Sequence, residues 1–270
     1  MNVAEINLYP VKSLRGTSVQ EALIGSHGLQ YDRCWMLVDR EGKKITQREH
    51  PRLALLVPRV EGGRLRAQVP GLSDIVVPLD PAAWTSELLT VDLWGHEHVG
   101  VVAADAINRA FSDAIGMSCL LLSLGHGNSG MNQVPFHDDA PLLVIGQSSL
   151  DELNRRLPEP LPMNRFRPSV VVAGSTAFGE DSWQRISIGH TECHAVKLCV
   201  RCAITTVDQA DGAFRGPEPL KTLATFRRIE QNVAFGAYFR PQTAGAKLRV
   251  GDEIKVLERK AVAPTFESRA

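Results

Sequence analysis

Cys199 and Cys202 stand three positions apart in KLCVRCAITTVD, residues 197–208, with Arg201 between them. A thiolate is a soft donor for a soft metal centre. A buried thiol, by contrast, is usually inert packing. The chain holds only five cysteines, so a pair this close asks for a cause. Four readings compete. The pair can fill a core. It can be a thioredoxin-like dithiol, but such pairs open a helix whose first amides lower the thiol pKa, and the AITTVD after Cys202 favours a strand, predicted over 203–207. It can join His190, Cys193 and His194 in a zinc site. No second CxxC exists, however, and adjacent residues such as Cys193 and His194 face opposite sides of a strand. The fourth reading is one thiolate on a metal carried by a cofactor, which requires cations to hold an anionic cofactor.

Cations do occur at suitable places. In YPVKSLRG (9–16), Lys12 and Ser13 follow the first strand and can offer an ammonium, a hydroxyl and turn amides to a phosphate. The plainer reading is a turn with solvated charges. Arg33 in YDRCW and Arg167 in NRFRPS each adjoin an apolar strand, as edge residues or as buried anion clamps. Arg48 in TQREHPRL can join either group. Asp138 and Asp139 end the polar, glycine-rich stretch 125–139, which reads as a pocket wall or lid. One of them can accept N–H groups of a heterocycle, or cap a strand. His96, His98, His126 and His137 have no metal spacing, and Trp35 and Trp94 read as core. No dinucleotide or P-loop glycine motif precedes a helix, and neither GxSxG nor HExxH occurs.

The elements that must position these residues are mostly strands. Val3–Leu8, Cys34–Asp39, Leu53–Val60, Leu65–Val69 and Ile75–Pro78 are predicted in the first half, separated by Gly and Pro. A helix is predicted over Ala104–Ile115, ending at Gly116. In the second half, Ser149–Leu157 reads as a helix opened by a Ser149/Glu152 capping box, and Pro219–Ile229 as another. Strands are predicted at Ser169–Ala173, Arg185–Ile188, Glu192–Leu198 and within Leu248–Leu257. The fold class is therefore mainly β with a few helices: a β-barrel-like domain over 1–120, a mixed β-rich domain over 121–260 and a flexible tail over 261–270. Thirty basic and thirty acidic side chains leave no net field to attract nucleic acid or an anionic membrane. An odd cysteine count and a first segment that reads as a strand rather than an export signal point to reduced thiols in a cytoplasm.

YPVKSLRG at 9–16, YDRCW at 31–35 before TQREHPRL at 46–53, NRFRPSVVV at 164–172 and CVRCAITTVD at 199–208 occur in an order that resembles the MOSC family, the molybdenum-cofactor sulfurase C-terminal family, in its amidoxime-reducing-component branch. FGAYF followed by LRVGDEIKVL fits the same pattern. The resemblance implies an N-terminal β-barrel domain, a MOSC domain and a molybdenum cofactor of the molybdopterin type. It implies Cys202 as the molybdenum thiolate, with Cys199 beside it but not a ligand. Lys12, Ser13, Arg33 and Arg167 match positions that hold the phosphate end of the pterin, and Asp138 matches an acid near it. The implied activity is a molybdenum-dependent reduction of N-hydroxylated small molecules by oxygen-atom abstraction. Some bacterial relatives carry a fused two-iron ferredoxin; its cysteine spacing is absent here, so a separate electron-donor protein of ferredoxin, flavoprotein or cytochrome b5 type is expected. The alternatives are a sulfur or persulfide carrier, a molybdenum-cofactor carrier, or a structural zinc module.

Overall fold

Leu142–Gly146 (LLVIG) is apolar throughout and buried along its whole length. A strand buried on both faces suits the middle of a sheet, and it lies there, parallel to Val170–Ala173 and antiparallel to Asn232–Pro241. The computed structural model describes residues 1–80, 84–93, 95–124, 135–242, 245–261 and 266. Within these, the largest sheet has nine strands. Its order is Ile254–Arg259, Trp183–Ile188, Thr191–Val200, Asn232–Pro241, Leu142–Gly146, Val170–Ala173, Asn2–Leu8 and Thr17–Val19, with Arg228–Ile229 added to Asn232–Pro241. A second, five-stranded sheet runs Trp84–Leu93, His96–Ala103, Leu120–Ser123, Trp35–Val38 and Val11–Lys12. Two three-stranded sheets complete the mostly β architecture.

The chain passes between the two larger sheets at Tyr9–Pro10. Asn2–Leu8 belongs to the nine-stranded sheet, and Val11–Lys12 pairs in parallel with Trp35–Val38 in the other. The first and third strands thus share a sheet with strands from beyond residue 140, so hydrogen bonding does not divide near residue 120. Lys12 and Ser13 are thereby placed at a junction of sheets. The helix Asp105–Ile115 ends at Gly116, whose φ of 72° is the left-handed C-terminal conformation glycine adopts readily. It buries Ile107 and Phe111 in the core that also holds Trp35, Leu37 and Leu121.

Several elements differ from the sequence reading. Leu53–Val60 is a 3₁₀ turn, Pro51–Leu55, followed by the strand Val57–Glu61. The second helix is Gln147–Asn154, and Gly146 takes its N-cap position. Ser149 instead donates to Glu180 at 2.9 Å and accepts the Phe178 N–H at 2.8 Å, while Glu152 pairs with Arg155 and Arg156. No capping box forms. Only Leu220–Leu223 of the third predicted helix is α-helical, and Arg228–Ile229 is already a strand. The predicted strand 203–207 is a 3₁₀ turn, Ala203–Thr206. Its threonines explain this: Thr205 Oγ1 donates to Cys202 O at 3.0 Å and Thr206 Oγ1 to Ala203 O at 2.8 Å, and such local bonds compete with a sheet ladder. The hairpin Trp84–Leu93/His96–Ala103 has no counterpart in the sequence reading. Most of the glycine-rich stretch 125–139, including His126, and Trp94 lie outside the described residues. So does most of the predicted tail, although the Phe266 ring stacks on Arg227 at 3.9 Å.

Candidate functional site

Four strands and the segments that connect them converge on a cavity of about 310 Å³ lined by residues far apart in sequence. Lys12, Ser13, Arg33, Asp138, Arg167 and Cys202, the six residues singled out above, all line it, as does Arg48. At one end Tyr9, only 2% exposed, forms a platform. The Arg33 guanidinium carbon lies 4.6 Å from the centroid of the Tyr9 ring and that of Arg167 4.3 Å from the same centroid, both within cation–π range. Tyr9 is fixed in turn: its N–H donates to Asp32 Oδ1 at 2.8 Å and its hydroxyl to Pro168 O at 3.2 Å. Asp32 is fully buried and pairs with Arg33, and Arg167 Nη1 donates to Leu14 O at 2.8 Å.

The backbone at this end is held in an uncommon conformation. Ser13, Arg33 and Arg167 have φ of 66°, 55° and 56°. A non-glycine residue in the left-handed region costs about 1 kcal/mol or more. These three are half of the six such residues in the described chain, and all three face one cavity. Strain concentrated in this way marks a place where side-chain direction matters more than local stability.

Lys12 is almost fully buried, donating to Phe136 O at 3.0 Å and to Asp138 Oδ1 at 2.5 Å. Burial pulls its ammonium below the ordinary lysine range, against the pull of Asp138. Burial would raise Asp138, but the Lys12 charge and hydrogen bond, with Arg33 and Arg167, bring it well below the usual carboxylate range. Arg167 is drawn down to about 10 by burial and by the neighbouring Arg33 charge. Beside this end His137, with its Nε2 buried and unpaired, is pushed down to about 3 by burial and the same cations.

The sulfur end is different. Cys202 is exposed, while Cys34, Cys119, Cys193 and Cys199 are buried. Arg201 Nη1 donates to Cys199 Sγ at 2.8 Å and Nη2 to Phe166 O at 2.6 Å. Burial pushes the Cys199 thiol up, opposed by Arg201. Tyr238 borders both Cys199 and the cavity, and burial raises its hydroxyl well above 10. The zinc grouping does not assemble. Cys193 packs with Trp183, Ile186 and Phe239, and His194 pairs with half-buried Glu192 at 2.9 Å. Among the described residues no three His, Cys, Asp or Glu side chains converge as metal ligands.

The lining carries five cations, Lys12, Arg33, Arg48, Arg167 and Arg201, against two carboxylates, Asp138 and Asp139. Asp139 is itself paired with Lys197 at 2.6 Å. Thr46 Oγ1 and Arg201 Nε belong to lining residues and are buried without a partner. An excess of buried positive charge with unfilled donors suits an anionic group, and an exposed soft thiol at the far end suits a metal on that group. Sequence reasoning missed Tyr9, Thr46 and Arg201. Arg201 had a signal, since it separates the two cysteines. Tyr9 had none beyond preceding a proline, because its partners come from residues 32–33 and 167–168.

Residues 1–118 match the MOSC N-terminal beta barrel domain and residues 131–255 the MOSC domain, which defines the class of protein that carries this cavity. The chain belongs to the MOSC family, in the group that contains the mitochondrial amidoxime-reducing components. It is 33% identical over 283 residues to mitochondrial amidoxime-reducing component 1 of Mus musculus, covering 94% of this chain and 82% of that one. Identity to mitochondrial amidoxime reducing component 2 of Rattus norvegicus is 32% over 279 residues, covering 93% and 82%. Among solved structures, YiiM from Geobacillus stearothermophilus overlaps 45% of this chain and 55% of its own at 16% identity and a TM-score of 0.33. No helix of the described residues is long and apolar enough to cross a membrane.

Proposed function

We propose that the protein reduces N-hydroxylated small molecules at a molybdenum centre carried by a pterin of the molybdopterin type. The observation that carries this reading is the convergence of one exposed thiol and three cations on left-handed or buried backbone upon a single cavity. The relatives' names supply the substrate class, since amidoximes are N-hydroxylated amidines. When bound, the cofactor supplies two-electron oxygen-atom abstraction from an N–OH group.

The chain's own residues have separable roles in this reading. Cys202 supplies a thiolate to the metal from the exposed end of the cavity. Lys12, Arg33 and Arg167 compensate the phosphate end, with the Ser13 hydroxyl as a further donor. Each charge-assisted hydrogen bond contributes on the order of 1.5–3 kcal/mol. Asp138 orients the Lys12 ammonium and opposes the burial that disfavours its charge. Leu143, Phe166, Val200 and Ile204 line the remaining wall and exclude water from the reacting group. Electrons come from a separate donor protein. A sulfur relay through both cysteines asks for two accessible thiols, and Cys199 is buried beneath Arg201, so the relay is the weaker reading.

The test is metal and pterin analysis of purified protein, followed by turnover of a simple amidoxime with a chemical reductant. About one molybdenum per chain and amidine formation are expected. Protein that binds stoichiometric zinc, or that binds molybdenum cofactor yet forms no amidine with any donor, would remove the enzymatic reading.

A further inference from the structure

The direction of the Cys202 side chain is set by a turn, and the contact that pins the turn comes from outside the cavity. Ala203–Thr206 begins at Cys202, whose carbonyl accepts the Thr205 N–H at 3.2 Å and Thr205 Oγ1 at 3.0 Å. These bonds are local; backbone bonds hold the flanks, with the Arg201 N–H donating to Val233 O at 2.9 Å and the Arg215 N–H to Thr206 O at 3.0 Å. Arg165 Nε donates to Thr205 O at 2.9 Å and ties it to the segment Met163–Pro168. That segment is also where Arg201 reaches Phe166 O, where Arg167 reaches out to Leu14 O and where Tyr9 reaches Pro168 O. It therefore joins the sulfur end of the cavity to the cation end.

Arg165 is 1% exposed and is not among the residues lining the cavity. Its Nη1 lies 3.7 Å from Asp208, a partly exposed carboxylate, and its Nη2 is buried without a partner. A buried guanidinium with a long ion pair and an unfilled donor is a poor way to stabilise a core; an apolar side chain of similar volume packs there at less cost. What the guanidinium provides is a rigid fork, with Nε on Thr205 O and Nη1 toward Asp208, spanning both ends of residues 205–208.

We propose that Arg165 is the positioning residue for Cys202: it holds the turn 203–206 so that the thiol is presented to the cavity. The identity of the group that meets the thiol rests on the molybdenum reading above; the fixation of the turn does not.

The experiment uses the full chain as isolated, with Arg165→Gln and Arg165→Lys beside the parent. Amide hydrogen exchange is read by mass spectrometry over 202–209, alkylation by iodoacetamide is mapped at all five cysteines, and molybdenum is quantified. In Arg165→Gln, exchange over 202–209 speeds about tenfold, as loss of a charge-assisted bond implies, with the rest of the chain unchanged. Molybdenum content falls in step, and Cys202 alone becomes open to alkylation in the loaded protein. Arg165→Lys, which keeps the charge but not the fork, lies between the two; should the Gln variant fail to fold, the Lys variant alone must show the local change. Parental exchange over 202–209 in the variants overturns the proposal. So does acceleration across the whole chain with all five cysteines labelled, which marks a purely structural role. A parent without molybdenum, but with the local exchange change intact, overturns the cofactor reading and leaves the positioning role standing.

Discussion

The two ends of the cavity are built by opposite means. The cation end uses residues, most of them buried, from four distant parts of the chain, Tyr9 to Ser13, Asp32 to Arg33, Phe136 to the half-exposed Asp138, and Arg167 to Pro168. It carries left-handed backbone at three positions and stacks two guanidinium groups on one ring. The sulfur end is a single exposed thiol on a four-residue turn. The first arrangement is rigid because every cation has a fixed neighbour, and it stores strain that the rest of the fold must offset. The second is local, and takes its direction from the arginines on either side. On the function proposed above, a site that grips an anion firmly and offers a metal one adaptable thiolate would hold the cofactor mainly through its phosphate.

The comparison breaks most sharply at the two cysteines. Cys202→Ser removes the exposed thiol and is expected to reduce amidoxime turnover to background, with loss of molybdenum from the isolated protein. Cys199→Ser is expected to keep most of the metal and most of the turnover, since its thiol is buried and its sulfur already accepts from Arg201. Side-by-side metal analysis and turnover decide this. Equal loss in both variants would make the sulfur end a two-thiol site and undo the contrast drawn here.

Next in size are the cations. Arg33→Met and Arg167→Met each remove one charged donor while retaining the apolar stem. Each should weaken cofactor retention about tenfold, with turnover per bound molybdenum nearly unchanged. Retention is measured by pterin remaining after dialysis. A fall in turnover per molybdenum with retention intact would place these arginines on the substrate instead.

Gly16→Ala probes the platform beneath them. A Cβ at Gly16 would sit 2.3 Å from Tyr9 Cε1, so the ring must shift, and with it the surface that both guanidinium groups stack upon. Overpacking of this kind costs about 1–3 kcal/mol. The expected outcome is a lower melting temperature together with a few-fold loss of pterin, while Cys202 keeps its alkylation rate in the cofactor-free chain. A changed thiol rate would show that the two ends are mechanically coupled more tightly than the contacts through Met163–Pro168 imply.

The sulfur end was the more legible of the two in the sequence. A CxxC among five cysteines stands out on spacing alone, and its local turn was misread only because β-branched Ile204, Thr205 and Thr206 resemble a strand when their hydroxyl bonds are ignored. The cation end was not legible from the residues alone. Lys12, Arg33 and Arg167 each read equally well as solvated strand-end charges, and only the order of motifs gathered them. Tyr9 donates to a carbonyl 159 positions away, a contact no window of sequence contains. Arg165 acts on a backbone carbonyl and so leaves no complementary residue type to find. The hairpin Trp84–Leu93/His96–Ala103 escaped for another reason: the first strand is mostly solvated, without a continuous apolar face to give it away.

The smallest effect, and the one that tests the cation end without touching the cofactor, is the pH dependence of the Lys12–Asp138 pair. The folded-state pKa of Asp138 lies below its ordinary value, so its contribution to stability is present above about pH 4 and is lost as the pH falls beneath that range. Half of the Asp138 side chain is exposed, which limits the contribution to about 1 kcal/mol or less through solvent screening. Lys12 gives a pH slope of the same sign in a higher window, although its own charge is a penalty rather than a gain. Burial depresses its pKa, so its charged form disfavours the fold, and that penalty lifts as the pH rises toward the ordinary lysine range. Asp138→Asn removes the group that opposes this depression and leaves the buried ammonium with Phe136 O as its remaining partner. The variant should therefore melt lower at neutral pH, lose less stability than the parent between about pH 5 and pH 3, and gain more on moving to alkaline solution. Melting curves of the cofactor-free protein across that range supply the check. Parallel curves for parent and variant would mean that the carboxylate leaves the lysine's charge state unaltered, and the cation end would then owe its order to the tyrosine platform alone.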